Sequence, residues 1–343
     1  MNRTQPRPPS PPPSPEAPLL AVRDLRVEFR TRDGVAQAVN GVSFGVSAGE
    51  TLAVLGESGS GKSVTAQAVM GILDTPPGRI TGGEIRFEGR DLLTLPAEER
   101  RKIRGARMAM IFQDALSSLN PVLSVGYQLG EMFRVHRGAS RKEARAKAVE
   151  LMDRVRIPAA RARAGDYPHQ FSGGMRQRIM IAMALALEPR LIIADEPTTA
   201  LDVTVQAQVM ELLADLRREY RMGLILITHD LGVVADVADE IAVMYAGRIV
   251  ETAPVGELYR APAHPYTKGL LDSIPRLDQK GQRLNAIKGL PPSLLSVPPG
   301  CGFHPRCPMA RPVCRTDEPP LYGEVGPGRA SACHFWKELL DER

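Results

Sequence analysis

The chain has 343 residues, a net charge of +5, 43% hydrophobic and 24% charged residues, a soluble globular composition with ample length for a buried core. Its longest unbroken apolar run, residues 179–187, is nine residues long; a spanning helix needs about 20, so the chain is not expected to cross a membrane by itself. A single Trp, 5% aromatics and arginines spread along the chain argue against a base-stacking platform and against a nucleic-acid partner.

Residues 1–18 hold eight of the 30 prolines, which predicts a disordered, polyproline-like tail. Arg3 and Arg7 are followed by no apolar stretch, so no secretory signal is expected and a cytoplasmic location follows. From Leu19 the pattern changes. LLAVRDLRVEF alternates as a strand does, and VNGVSFGV before AGE reads as strand and turn. TLAVLG is a short buried strand that enters a glycine-rich loop, with SVTAQAVMGIL helical behind it. Residues 141–157 carry apolar positions at helical spacing, and IMIAMALALE is a second, largely buried helix. LIIADEP is an apolar strand ending in carboxylates, QVMELLADLRREY an amphipathic helix and LILITHD another buried strand. Strands alternating with helices predict an α/β fold with a parallel sheet covered on both faces. After Pro262 the composition shifts. Residues 291–320 contain nine prolines and three of the four cysteines, a small loop-rich module.

Gly56, Glu57, Ser58, Gly59, Ser60, Gly61, Lys62 and Ser63, with Val64 behind them, match G-x4-G-K-S between a strand and a helix. Such glycines let backbone N–H groups curl around a β-phosphate, and the helix N-terminus adds its positive end. Lys62 supplies a point charge to the β- and γ-phosphates and the Ser63 hydroxyl is placed to ligate Mg²⁺. A chance glycine turn would not have both flanking elements in place. ATP with Mg²⁺ is therefore expected here. Asp195 at the end of LIIAD can hold the Mg²⁺ shell, where ligands of a doubly wound sheet gather, and Glu196 can act as general base on an attacking water.

Ser172, Gly173 and Gly174 in FSGGMRQR open the helix that continues as IMIAMALALE, so their N–H groups form another anion site. This stretch resembles the signature of the ATP-binding-cassette family, usually LSGGQ, with Phe171 and Met175 as departures that remove neither the serine nor the glycine amides. The resemblance implies a P-loop cassette: a RecA-like core, an antiparallel β subdomain and a helical subdomain. It also implies that the loop caps the γ-phosphate held by a partner subunit. Gln113 in MIFQDALSSLNP is similar to the residue that joins the Mg²⁺ shell and reports nucleotide state to the membrane partner. Asp202 in TTALD resembles the residue facing the opposite subunit, and His229 in LITHD the switch histidine that contacts the γ-phosphate and orients Glu196. The adenine-stacking aromatic of the family falls near Asp33, which is not aromatic; Phe29 is the candidate substitute.

The likeness runs over about residues 19–337. GESGSGKS, FQDALSSLNPVLSVGYQL, FSGGMRQR, AHPYTKGLL and GLPPSLLSVPPGCGFHPRCPMARPVC resemble the oligopeptide/dipeptide (and nickel) importer branch, and within it the D-type ATPase subunits. That branch implies a second, different ATPase subunit, two permeases and an extracytoplasmic peptide-binding protein, with this chain peripheral on the cytoplasmic face of the membrane. The expected layout is a tail over 1–18, an ATPase domain over 19–262 and a C-terminal extension over 263–343.

Cys301, Cys307, Cys314 and Cys333 all lie in the last 43 residues. Such clustering in a cytosolic chain points to a metal or cluster site rather than a disulfide framework, and the C-x5-C-x6-C-x18-C spacing does not name the metal. The family resemblance implies a [4Fe–4S] cluster on all four; zinc is the alternative. Losing one cysteine ligand is expected to loosen the module and, since the cassette motifs lie far upstream, to leave ATP binding largely intact. Dipeptide, longer peptide and nickel are the alternative cargoes. A nucleic-acid or ribosome ATPase of the same family would carry two cassettes or a long coiled coil, an exporter would carry fused spanning helices, and a kinase would have no use for FSGGM.

Overall fold

Alternation of apolar side chains builds the N-terminal part. In β1 (Leu20–Thr31) the buried positions are Leu20, Val22, Leu25 and Val27, and β1 pairs antiparallel with β2 (Gly34–Val46). β3 (Thr51–Leu55) is buried at every position, as a strand covered on both faces must be. β4 (Gly78–Phe87) and β5 (Arg90–Asp91) return to the first hairpin and complete an antiparallel sheet in the order β2-β1-β4-β5. The computed structural model describes residues 18–114, 118–199, 201–274 and 287–341; the proline-rich segment, Pro18 apart, lies outside them.

A second sheet of eight strands forms the centre. It contains β3, β6 (Met108–Ile111), β7 (Leu191–Asp195), β8 (Gly223–Thr228), β9 (Glu240–Tyr245), β10 (Arg248–Pro254), β11 (Tyr322–Gly326) and β12 (Arg329–Ser331), in the order β11-β12-β10-β9-β3-β8-β7-β6. Pairing is parallel from β9 through β3, β8 and β7 to β6. Beyond β9 it turns antiparallel, an edge that the alternation of strands and helices in the sequence does not reveal. The cause is local. Ala246 and Gly247, both at positive φ (47° and 80°), link β9 to β10 in a two-residue turn, and only antiparallel strands can be joined so tightly.

Between β6 and β7 the chain makes a helical layer. Val125–Arg137 and Arg141–Arg154 are capped by Ser124 and Ser140, the latter in a capping box with Glu143. The second helix stops at Arg154, short of the expected residue 157, because Arg156 turns to φ 60°. Gly173–Leu185 follows, then Val203–Tyr220 after β7. One apolar cluster fills the space between the antiparallel sheet and the central one; another joins the opposite face to the helices.

The cysteine-bearing segment is a minor addition to this cassette, and it is stitched in. The β11–β12 hairpin extends the central sheet through β10, with Glu251 opposite Ser331. Phe303 is 2% exposed within the second cluster, and Cys301 and Cys307 pack against it.

Candidate nucleotide site

The carboxyl ends of the parallel strands β3, β7 and β8 converge, and each delivers one functional segment. After β3 the loop of residues 56–61 curls and the Lys62–Met70 helix begins. Two of its glycines are obligatory. A Cβ on Gly56 (φ 152°) would stand 2.2 Å from the Met244 carbonyl oxygen, and one on Gly61 (φ 102°) 2.3 Å from that of Ala38. No side chain fits either place. A cleft of about 470 Å³ is lined by Glu57, Ser58, Gly59, Ser60, Gly61, Lys62, Ser63 and Val64, with Gln113, Glu196 and His229 facing them.

Lys62 is 5% exposed and its Nζ donates to the carbonyls of Gly56 (2.7 Å) and Glu57 (2.9 Å). Burial pulls its pKa down, while Glu196, Asp195 and Glu57 oppose that. Ser63 Oγ donates to Asp195 Oδ1 at 3.0 Å, so hydroxyl and carboxylate already face one another as ligands of one hard cation do. Burial pushes the Asp195 carboxyl up, and the bond from Ser63 counteracts it. Ser60 Oγ is buried without a hydrogen-bond partner, a polar atom suited to an oxygen-rich ligand.

Glu196, just past β7, has φ 45° and donates its N–H to the Ile227 carbonyl of β8. Its Oε2 accepts from Gln113 Nε2 and from Thr199 Oγ1, both at 2.9 Å, and its Oε1 lies 3.4 Å from His229 Nδ1. A carboxylate oriented by three side chains at the mouth of a phosphate cleft can take a proton from a water. Thr199 was not singled out in the sequence, although it stands in the same run as Asp202.

Ser172 and Asp202 are elsewhere. Ser172 caps the Gly173–Leu185 helix by accepting from Met175, leaving Gly173 and Gly174 in its first turn, and Asp202 caps Val203–Tyr220 by accepting from Val205. None of these residues lines the cleft. Phe171 is buried beneath the Arg163 guanidinium, 4.1 Å from its ring, and Arg163 also reaches Met175 Sδ. The two departures from the signature thus anchor the helix start. Phe29 packs on the antiparallel-sheet core and does not line the cleft.

Sequence distance misleads about the cysteine segment, because Arg306, between Cys301 and Cys307, forms a bidentate pair with Glu57 of the phosphate loop (2.6 and 2.9 Å). Tyr266, from AHPYTKGLL, accepts from the Glu57 N–H at 2.8 Å. Burial pushes the thiols up, to about 11 for Cys307 and about 12 for Cys333, with Cys301 raised as well; the neighbouring cysteines oppose ionisation further. All four cysteines are free of disulfides. Among the described residues no three or more His, Cys, Asp or Glu come together as a site for one metal ion.

A phosphate loop after β3, an Asp–Glu pair at the end of β7, a glutamine just past the edge strand β6 and a histidine just past the inner strand β8 define an ATPase of the cassette class. A model of the ABC transporter family matches residues 39–199, and one for the oligopeptide/dipeptide transporter C-terminal region matches residues 250–314. The oligopeptide transport ATP-binding protein OppD of Salmonella typhimurium is 53% identical over 94% of this chain and 95% of its own length. OppD of Bacillus subtilis is 50% identical over 94% of this chain and 88% of its own. Among solved structures, the dimeric bacterial ABC transporter cassette MJ0796 aligns with a TM-score of 0.62 and 28% identity over 69% of this chain and 98% of its own. The chain belongs to the ATP-binding proteins of ABC transporters, in the branch with the oligopeptide/dipeptide C-terminal region, and is an ABC-type ATPase.

Proposed function

We propose that this chain is the ATP-hydrolysing subunit of a di-/oligopeptide importer, seated on the cytoplasmic face of a membrane against two permease subunits and paired with a second, different ATPase subunit. The observation that carries the reading is a complete phosphate cleft joined in one chain to the C-terminal region named for oligopeptide/dipeptide transporters. No helix among the described residues is long and apolar enough to cross a membrane. We divide the protein into a tail over 1–18, an ATPase part over 19–262 and an extension over 263–343. Gly56 to Val64 bind the phosphates of ATP, Ser63, Asp195 and Gln113 hold Mg²⁺, Glu196 is the general base and His229 orients it. Ser172, Gly173, Gly174 and Asp202 serve the nucleotide of the partner subunit. In membrane vesicles containing the permeases and both ATPase subunits, hydrolysis should rise when peptide-loaded binding protein is supplied. Stimulation by nickel-loaded binding protein, with none by peptide, would reassign the cargo.

We propose in addition that Cys301, Cys307, Cys314 and Cys333 hold a [4Fe–4S] cluster that staples the loop-rich extension. The fit is supported by the mutual proximity of the thiols and by backbone N–H groups aimed at the sulfurs: Phe303 and His304 at Cys301, Met309 at Cys307, Phe335 at Cys333. Bound there, the group would supply cross-linking of the chain, and its binding energy would count as folding energy. Anaerobically purified protein should be brown with about four irons per chain; colourless protein with one zinc would transfer the site to that metal.

A further inference from the structure

We propose that Arg306 is a positioning residue for the phosphate loop, so that the segment 301–307 takes part in nucleotide binding through the Arg306–Glu57 pair. The inference rests on that loop being the ATP site and needs no metal at the cysteines.

Among the ion pairs of the described residues this one has the most buried cation, with Arg329, at 9% exposed in its pair with Glu257, next. Arg306 is 5% exposed at the side chain, whereas Arg86, Arg90 and Arg107 in comparable pairs are about half exposed. A guanidinium taken out of water is held only by partners of good geometry, and Arg306 has several. Besides both Glu57 oxygens it reaches Tyr245 Oη (3.4 Å) and the Lys288 carbonyl (3.1 Å), and its cation faces the rings of Tyr245 and Phe303. Screening by salt is weak at such a place.

Glu57 is gripped at each of its polar groups. Arg306 holds the carboxylate, Tyr266 Oη accepts from the N–H, and Lys62 Nζ donates to the carbonyl. A shift of Glu57 therefore displaces the ammonium that meets the phosphates. On the other side, Arg306 sits in a run of turns: His304 N–H donates to the Cys301 carbonyl, Arg306 to Phe303 and Cys307 to His304. Phe303 fixes that run against Tyr245 and Tyr266, with ring centroids 5.3 Å from each. These contacts form one continuous packed path from the cysteine segment to Lys62. Coupling of this kind is reciprocal: ordering of 301–307 raises ATP affinity, and ATP steadies 301–307.

The test uses the full chain and Mg–ATP binding by calorimetry. Arg306→Ala is expected to weaken binding about tenfold, equivalent to about 1.4 kcal/mol. Arg306→Lys should recover part of the loss, since it restores the charge without the fork. Arg306→Ala with Glu57→Ala should bind no worse than Arg306→Ala alone. Arg311→Ala, which removes a cation of the same segment bonded to Glu338 and stacked on Phe335, should bind as wild type. Unchanged affinity in Arg306→Ala, losses that simply add, or an equal loss in Arg311→Ala would each overturn the proposal. Should the variants fail to fold, hydrogen exchange of the wild-type chain decides. Mg–ATP must slow the amides of residues 301–307. If they do not respond while Lys62→Ala abolishes ATP binding, positioning is overturned and the phosphate loop remains the nucleotide site. If Lys62→Ala binds ATP normally, both readings fall.

Discussion

Glu196 pays for its place with an unfavourable backbone: φ 45° in a residue with a full side chain costs of order 1–3 kcal/mol and persists only where the surroundings impose it. The surroundings are visible. Ile227 holds its amide, while Gln113 and Thr199 share one carboxylate oxygen and His229 stands by the other. An amide in place of that carboxylate keeps the shape and loses the base. Glu196→Gln should therefore lower hydrolysis by about 100-fold or more with ATP affinity retained, whereas Lys62→Ala should weaken binding itself. Turnover at the wild-type rate by Glu196→Gln in the assembled transporter would remove Glu196 from the role.

At the scale of elements, β10 is locked to the Pro265–Asp272 helix by a buried carboxylate. Glu251 is 1% exposed and accepts from the N–H groups of Ala263 and His264, and His264 in turn caps the helix. Burial pushes Glu251 up to about 7 from 4.5, against the hydrogen bonds and the Arg329 cation. The folded state thus holds this proton more tightly than the unfolded one. Its stabilising contribution is full below about pH 4.5 and is lost as pH rises through about 7. His264 acts in the opposite sense: burial lowers it to about 3 from 6.5, so its contribution is full above pH 6.5 and lost as pH falls toward 3. The two offset each other between about pH 4.5 and 6.5, and a substitution separates them. The melting temperature of Glu251→Gln minus that of wild type should grow from pH 4.5 to about 7 and then level off. Parallel profiles would show that Glu251 does not titrate in this window. None of this lock was legible in the sequence, where His264 read only as part of AHPYTKGLL. The phosphate loop was legible, since its glycines are dictated by backbone approach over eight residues. The buried strands were legible from their apolar runs. The antiparallel edge and the Arg306–Glu57 pair were not, because a strand's partner and a contact across 249 residues leave no local periodicity.

The molecule as a whole carries two phosphate-directed elements that do not meet. Its cleft is lined from the phosphate loop, Gln113, Glu196 and His229, while Ser172, Gly173 and Gly174 open another helix outside that lining. The first amides of a helix lack intrahelical acceptors and favour an anion, so this second element is suited to nucleotide held by another cassette. MJ0796, of similar fold, was solved as a dimer. The composite site proposed above predicts that the isolated chain is a poor ATPase, whose specific activity should fall on dilution and rise when a second ATPase subunit and the permeases are added. Ser172→Arg should sharpen the test. Its bulk and charge at the helix cap should depress hydrolysis at the partner's phosphate loop by about 100-fold, the scale of losing one preorganised donor, while Mg–ATP binding at this chain's own loop stays unchanged. Equal loss at both loops would place Ser172 in its own chain's site, and full activity at dilutions where only monomer exists would leave no role for a composite site at all.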